Sequence, residues 1–183
     1  RKNKSSFIVS ARESHLNLLL KPFTSDAASY KFYDVNAKMN FELAKKNHLF
    51  ISFFKGNDNA VYFAANSLNY RTDFGNTTGT LRWNHLFGSK IFSNSSVIYN
   101  DYHLALATEQ NSYYSLLYTA IKDITAKTDF TFTPNTKHRI KTGFTYTYHI
   151  LYPGGFSQSI PRQGSKLTIN KDSLNKLYSN EMA

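Results

Sequence analysis

The stretch that decides the fold is Ile121–Ile150, IKDITAKTDFTFTPNTKHRIKTGFTYTYHI. In its first half, positions 124, 126, 128, 130 and 132 carry mostly apolar residues that alternate with polar ones, and the same alternation runs from Ile140 to Ile150. Alternate side chains of a strand point to opposite faces, so the pattern predicts two strands with one apolar and one polar face each. Residues 133–137 contain Pro134 and predict a short polar turn. About ten residues on each side are long for a soluble strand and match a strand that crosses a bilayer.

The same alternation along the rest of the chain predicts about seven strands. These strands lie near residues 5–12, 30–43, 48–55, 73–87, 91–106, 113–132 and 138–152. Long loops are predicted at 13–29, 56–72 and 153–180, with shorter connections between them. This layout favours an antiparallel up-and-down meander, as in outer-membrane barrels with short periplasmic turns and longer extracellular loops. A soluble sandwich built from Greek keys has a less regular alternation of connection lengths.

The composition narrows the class of protein. The 183 residues include 15 Phe and 13 Tyr, although the mean hydropathy is negative, which suits a barrel with an apolar outside and a wet inside, or a large soluble β-sandwich. No run of about 18 apolar residues encodes a transmembrane helix. The basic start Arg1–Lys4 precedes only a brief apolar patch, which is not a signal peptide, and a mature segment would lack one as well. Without cysteine there are no disulfides and no Cys-based metal site.

The formal net charge of +10 indicates either a solvated basic surface or an anionic partner such as nucleic acid, lipid head groups or an acidic substrate. The basic residues are scattered, and no nucleic-acid-binding motif accompanies them. We therefore expect no nucleic-acid partner.

Two sets of residues define the predicted faces of the sheet. The outward set is Phe130, Phe132, Phe144, Tyr146, Tyr148 and Tyr152, and the lumen set is Lys38, Arg82, Lys127, Asp129, Arg139 and Lys141. Aromatic side chains near strand ends are typical of the girdles at membrane interfaces. We expect the lumen charges to pair with one another or with a plug; the alternative is a field that attracts anionic substrates.

No catalytic, metal or cofactor signature accompanies the strands. The histidines form no HxxxH or HExxH pair; they are His15, His48, His85, His103, His138 and His149. There is no G-x-S-x-G and no P-loop. We predict that the protein is not an enzyme and carries no cofactor, and no substrate-binding residue is singled out.

Closure of the sheet sets a further expectation. In lipid every backbone amide and carbonyl must be paired within the protein, so a spanning sheet must close, and bacterial single-chain barrels have even strand numbers. Seven strands do not close comfortably, and Glu181–Ala183 ends in mid-pattern. We expect this chain to be a section of a larger barrel.

Several segments resemble the barrel of TonB-dependent outer-membrane receptors, most closely the group with an N-terminal carboxypeptidase-regulatory-like domain. The segments are SFIVSARESHLNLLLKPF (Ser6–Phe23), YDVNAKMNFELAKKNHLFISFFKGND (Tyr33–Asp58), FGNTTGTLRWNHLFGSKIFSNSSVIYNDY (Phe74–Tyr102) and IKDITAKTDFTFTPNTKHRIKTGFTYTYHILYPG (Ile121–Gly154). The most specific piece is GTLRWNHLF at Gly79–Phe87, and SNEMA at Ser179–Ala183 is similar to the start of that family's next strand.

The resemblance implies a barrel of about 22 strands in the outer membrane of a Gram-negative cell, plugged by a domain that is not in this sequence. It implies uptake of a scarce nutrient such as a siderophore, cobalamin, a peptide or a glycan. The implied partners are outer-membrane lipid and lipopolysaccharide, the TonB complex acting through the plug, and a surface lipoprotein or other outer-membrane subunits. No family-wide ligand residue transfers to a numbered position.

Two alternatives remain open at this stage. One is that a receptor-like barrel serves as a structural or assembly subunit of an outer-membrane complex. A plug with an intact TonB box upstream would favour uptake over this role. A soluble β-rich binding protein is the third hypothesis.

Overall fold

The computed structural model describes residues 4–14, 28–64, 68–110, 113–159, 170–173 and 175–183. The strands in these residues are β1 (Ser5–Glu13), β2 (Ala28–Ala44), β3 (Asn47–Ala64), β4 (Leu68–Leu86), β5 (Ile91–Gln110), β6 (Tyr113–Asn135), β7 (His138–Ser159), β8 (Asn170–Ser173) and β9 (Leu177–Met182). They form one antiparallel sheet in which consecutive strands are neighbours from β1 to β8, and β9 also pairs with β7. The predicted all-β, antiparallel, up-and-down arrangement is confirmed.

The hairpin of β6 and β7 is the one that the alternation in Ile121–Ile150 predicts. Its register pairs Ile124 with Tyr148 and Phe130 with Thr142. The side chain of Asn135 closes the turn, because its Oδ1 accepts hydrogen bonds from the backbone N–H groups of Lys137 and His138 at 3.0 Å each. Asn favours such turns since its side chain replaces a backbone acceptor.

The predicted loop at 56–72 is wrong for all of its described residues. β3 continues to Ala64 and β4 begins at Leu68, and the two strands pair along this whole stretch. Its asparagine-rich sequence resembles a loop, but backbone pairing does not depend on side-chain polarity. Position 75 on β4 is glycine for a steric reason, because a Cβ there would lie 2.5 Å from Asn57 Oδ1 and 2.6 Å from His103 Cε1.

The predicted loop at 153–180 is also partly wrong. Residues 153–159 continue β7, and β8 and β9 lie further along the same stretch. Gly154 has a φ of 147°, which only glycine adopts readily, and the register of β6 against β7 shifts nearby, between Tyr118 and Ala120. The strand therefore passes the Pro153–Gly154 sequence with a bulge instead of ending there. Residues 160–169 and 174 lie outside the described residues, as do 15–27 of the predicted loop 13–29.

The sheet is a single layer. Among the described side chains, the buried hydrophobic core consists of Ala120 alone, which is 1% exposed. β1 and β8 end the path of neighbouring strands and do not pair with each other in the described residues, so the sheet is not closed. Both faces are therefore open to whatever surrounds the molecule.

Candidate functional site

The register divides the predicted outward and lumen residues between the two faces of the sheet. All six of the outward set lie on one face, which we call the aromatic face (Phe130, Phe132, Phe144, Tyr146, Tyr148 and Tyr152). All six of the lumen set lie on the other, which we call the basic face (Lys38, Arg82, Lys127, Asp129, Arg139 and Lys141). The alternation read from the sequence therefore corresponds to two physical surfaces.

The aromatic face carries a continuous apolar band. One row of paired residues crosses the first seven strands through Phe7, Met39, Ile51, Leu81, Val97, Ala126 and Tyr146. The next row on this face includes Phe53, Tyr99 and Ile124. Val97 is 52% exposed and Phe144 is 55% exposed. Such a band is far more than the scattered exposed hydrophobic residues of an ordinary protein surface.

The band ends at a definite level along the strands. Beyond Tyr99, the next residue of β5 on this face is Asp101, whose Oδ2 accepts a hydrogen bond from Tyr99 Oη at 3.0 Å and lies 3.0 Å from Lys122 Nζ. Tyr99 thus joins the apolar band to the first polar row. Amphipathic tyrosine commonly occupies such a boundary.

Beyond this row lies a group of four side chains that we call the polar cluster (Asn57, Asn59, Asp73 and His103). The Nδ2 atoms of Asn57 and Asn59 donate to Asp73 Oδ2 at 3.1 and 3.2 Å, and His103 Nε2 is 3.3 Å from Asp73 Oδ1. Partial burial opposes the charged form of Asp73, but the hydrogen bonds from Asn57, Asn59 and His103 outweigh it and hold the pKa of Asp73 below its ordinary value.

Sequence reasoning missed the polar cluster because two of its members fell in the predicted loop 56–72. The signal that would have found them is the phase of β3. Ile51, Phe53 and Lys55 alternate on one face, and Asn57 and Asn59 continue that alternation without a break.

The basic face changes its polarity at the same row of residues, but from polar at the short-turn end to apolar at the long-loop end. Toward the long-loop end it is apolar, with Phe74, Leu104, Leu106, Leu117 and Ile121 on it. Toward the short-turn end it carries the charged set together with asparagines and serines. The two faces thus exchange polarity across one line of the sheet.

The expected pairing of the lumen charges is found for one pair within the set. Lys127 Nζ lies 3.3 Å from Asp129 Oδ2. The Arg82 guanidinium carbon instead lies 4.5 Å from the centre of the Phe50 ring, a cation–π contact. In the described part of the chain, no carboxylate forms an ion pair with Lys38, Arg82, Arg139 or Lys141.

Four asparagines on the basic face have buried side-chain oxygens without a hydrogen-bond partner in the described structure: Asn40, Asn76, Asn84 and Asn94. Asn84 and Asn94 are paired across β4 and β5. A buried acceptor left unsatisfied costs about 1–3 kcal/mol.

Two of the described histidines contact oxygen atoms of different kinds. His149 Nδ1 lies 2.7 Å from Asp123 Oδ1, and His85 Nδ1 lies 2.7 Å from Asn47 Oδ1. Within the described residues, no three His, Cys, Asp or Glu side chains come together in a way that could hold a metal ion. His15 lies outside those residues.

A search for membrane-crossing helices found none long and apolar enough in the described residues. The chain was also compared with known proteins. No protein-family model, no curated protein and no solved structure matches it.

Proposed function

We propose that this chain is a section of an outer-membrane β-barrel receptor that takes up a scarce nutrient with TonB-coupled energy. The observation that carries the proposal is a single-layer sheet of long strands with an exposed apolar band on one face. The strands β2 to β7 are 17 to 23 residues long. Strands of soluble proteins are usually about 3–10 residues long.

The exposed band needs a cover that is itself apolar. Phe144, Val97 and Leu81 have no second layer to pack against in the described structure. Burying one such side chain is worth about 1.5–3 kcal/mol, so leaving a whole band in water would make the sheet unstable. Hydrocarbon chains of a bilayer supply this cover.

The height of the band supports a bilayer as the cover. On β6 the band runs from Phe132 to the polar row at Lys122, which is about 33 Å at 3.3 Å per residue. A strand tilt of about 40° reduces this length to about 25 Å across the membrane, which matches the apolar band of outer-membrane barrels. The remaining length of β3 to β7 then stands above the membrane and carries the polar cluster.

The basic face suits a water-filled or protein-filled lumen. Some of its charged side chains, Lys38 and Arg139 among them, have no carboxylate partner in the described structure, and water or a plug domain would solvate or pair them. The open edges at β1 and β8 are explained if other strands of a larger barrel pair with them, because a sheet in lipid tolerates no unpaired edge.

The transport activity rests on the resemblance of Ile121–Gly154 and the other quoted segments to TonB-dependent receptors. Energy coupling in that family resides in a plug domain, and substrate identity is left open by the residues present here. The alternative is a receptor-like barrel that acts as a structural subunit. Nutrient uptake that requires the TonB complex distinguishes the two, because a structural subunit would not support it.

A spin-label experiment tests the facing of the sheet. The sequence contains no cysteine, so labels at Val97→Cys and, as a matched control one residue away on the opposite face, Ser96→Cys introduce single thiols into this section. In the full-length protein in bilayers, we expect oxygen to reach the label at position 97 and a water-soluble nickel complex to reach that at 96. Equal access of the nickel complex to both labels would contradict the proposal, as would recovery of the protein in the soluble fraction.

A further inference from the structure

The turns at the short-turn end bring unpaired cations together. The backbone N–H of Thr133 donates to the carbonyl oxygen of Lys90 at 2.8 Å, which joins the β4–β5 connection to the end of β6. Ile91 pairs with Phe132, and Phe132 pairs with Ile140. Lys90 in the β4–β5 turn and Arg139 and Lys141 on β7 are therefore held in one neighbourhood.

These cations line a hollow of about 280 Å³ on the basic face. Its polar lining consists of Ser89, Lys90, Thr131, Thr133, Arg139 and Lys141. Leu86, Ile91 and Phe92 form the apolar part of the wall. No carboxylate lines this hollow, so every charged group in its lining is positive.

Some cations elsewhere in the described structure have carboxylate partners, whereas Lys38 and Arg82 have none. Arg12 Nη2 lies 2.6 Å from Asp34 Oδ2, and Lys122 Nζ lies 3.0 Å from Asp101 Oδ2. Asp129 lines an adjoining depression, which Lys141 also lines, and its Oδ2 is 3.3 Å from Lys127 Nζ. Three like charges around one small space repel each other unless an anion enters it.

We propose that this hollow binds a phosphate group. The guanidinium of Arg139 offers paired N–H donors, the two lysines offer ammonium groups, and Ser89, Thr131 and Thr133 offer hydroxyls; all of these are donors that phosphate oxygens accept. The hollow has the volume of about nine water molecules, so it holds a phosphate with a small attached group.

The same phosphate chemistry could come from two sources. One is a soluble phosphate compound, and the other is the head group of an anionic phospholipid at the level of the turns. The inference does not depend on the uptake function or on the lipid facing of the aromatic face. It depends only on the hollow and its lining.

Titration of inorganic phosphate into the full-length protein, in micelles of an uncharged detergent at low ionic strength, tests the site. We expect Arg139→Gln and Lys141→Gln to weaken phosphate binding by at least about tenfold, because each removes a charge-assisted hydrogen bond. Arg139→Lys keeps the charge and loses the paired donors, so its affinity should lie between those of the native protein and Arg139→Gln. Circular dichroism of each variant confirms that the sheet is intact.

Lys45→Gln and Lys46→Gln are the matched controls, because both lysines are exposed at the same end of the sheet but do not line the hollow. We expect them to leave the affinity nearly unchanged. Absence of phosphate binding to the native protein, or an equal loss in Lys45→Gln and Arg139→Gln, would overturn the proposal in favour of a diffuse positive field.

Nanodiscs separate the two sources of phosphate. If phosphatidylglycerol nanodiscs, compared with phosphatidylcholine nanodiscs, abolish the binding of inorganic phosphate to the native protein, the lipid head group is the occupant. If inorganic phosphate binds equally in both, a soluble phosphate compound is the occupant. Either result supports the site, and neither decides the uptake function, which the spin-label and uptake experiments test separately.

Discussion

At the scale of single residues, the facing of a side chain is what matters most. Phe144 lies near the middle of the apolar band, 55% exposed, and its neighbour across the hairpin is Thr128. The residues on either side of it, Gly143 and Thr145, belong to the opposite face. One position along β7 therefore separates a side chain of the band from one of the polar surface.

Phe144→Arg is predicted to destabilise the barrel in membranes by about 2–4 kcal/mol, because it places a charge near the bilayer midplane. Equilibrium unfolding from lipid vesicles measures the effect. Thr147→Arg on the same strand, on the basic face and paired with Thr125 and Glu181, is the control and should cost little. Equal stability of the two variants would show that the aromatic face does not contact lipid.

Gly75→Ala is predicted to destabilise the protein by about 1–3 kcal/mol, because the added Cβ crowds Asn57 and His103 and breaks the polar cluster. Gly79→Ala on the same strand is the control, because nothing lies within 4 Å of a Cβ there. The midpoints of denaturant unfolding of the two variants give the comparison. Unfolding of both at the same midpoint would argue against the packing of the cluster.

The pKa of Asp73 predicts a pH dependence of stability. Because this pKa is lower in the folded state, the contribution of Asp73 is fully present above its unfolded-state pKa of about 3.9 and is lost as the pH falls through the folded-state pKa. Asp73→Asn should therefore flatten the fall in stability below about pH 4. Thermal unfolding of both proteins between pH 6 and pH 3 measures this, and parallel curves would refute it.

At the scale of elements, the strands are longer than a bilayer would require. β3 and β4 pair from Asn47 with His85 to Ala64 with Leu68, whereas about 9–11 residues suffice to cross a membrane. The extension carries Asn57, Asn59 and Asp73, so the polar cluster stands on paired strands and not on a loop. Rigid strands hold such a cluster in a fixed geometry better than a mobile connection does.

Amide hydrogen exchange tests this extension. We expect the amides of residues 57–62 that are bonded to β4 to exchange at least about a hundredfold more slowly than in an unstructured peptide, since each exchange requires local opening of the sheet. Peptide-resolved mass spectrometry of the full-length protein gives the rates. Exchange at the rate of an unstructured chain would restore the loop that the sequence predicted there.

At the scale of the whole molecule, the single layer and the open edges of the described sheet leave an apolar face uncovered and edge strands without partners on their outer sides. In the described residues, the apolar band lies on one face of a sheet without a second layer, and the two edges of the sheet do not pair with each other. In the proposed barrel, further strands would pair with the edges and lipid would cover the band.

A closed barrel predicts heat-dependent mobility of the full-length protein. Unboiled samples should migrate as a compact species in detergent gels, and boiled samples should migrate at the mass of the unfolded chain. Phe144→Arg should reduce the compact fraction, whereas Thr147→Arg should preserve it. A protein recovered in the soluble fraction with no heat shift would exclude the membrane barrel.

Much of the fold was predictable from the pattern in Ile121–Ile150 and its counterparts. The face of Phe130, Phe144 or Lys141 follows from a period of two, which the side chains themselves display. The strand ends were not predictable to the same degree. Polar residues at 56–62 pair through their backbones, and Gly154 lets β7 continue beyond Pro153.

The sequence by itself determined the strand order, the phase of each strand and the two-faced character of the sheet, because alternation is a local property of neighbouring residues. Only the tertiary structure decided the polar cluster and the phosphate-sized hollow. Asp73 contacts His103, which is 30 residues away in the sequence, and Lys90 in the β4–β5 turn lines the same hollow as Arg139 on β7. Such contacts depend on the register between strands, which is set by the turns together with the pairing of whole strands and not by any one strand alone.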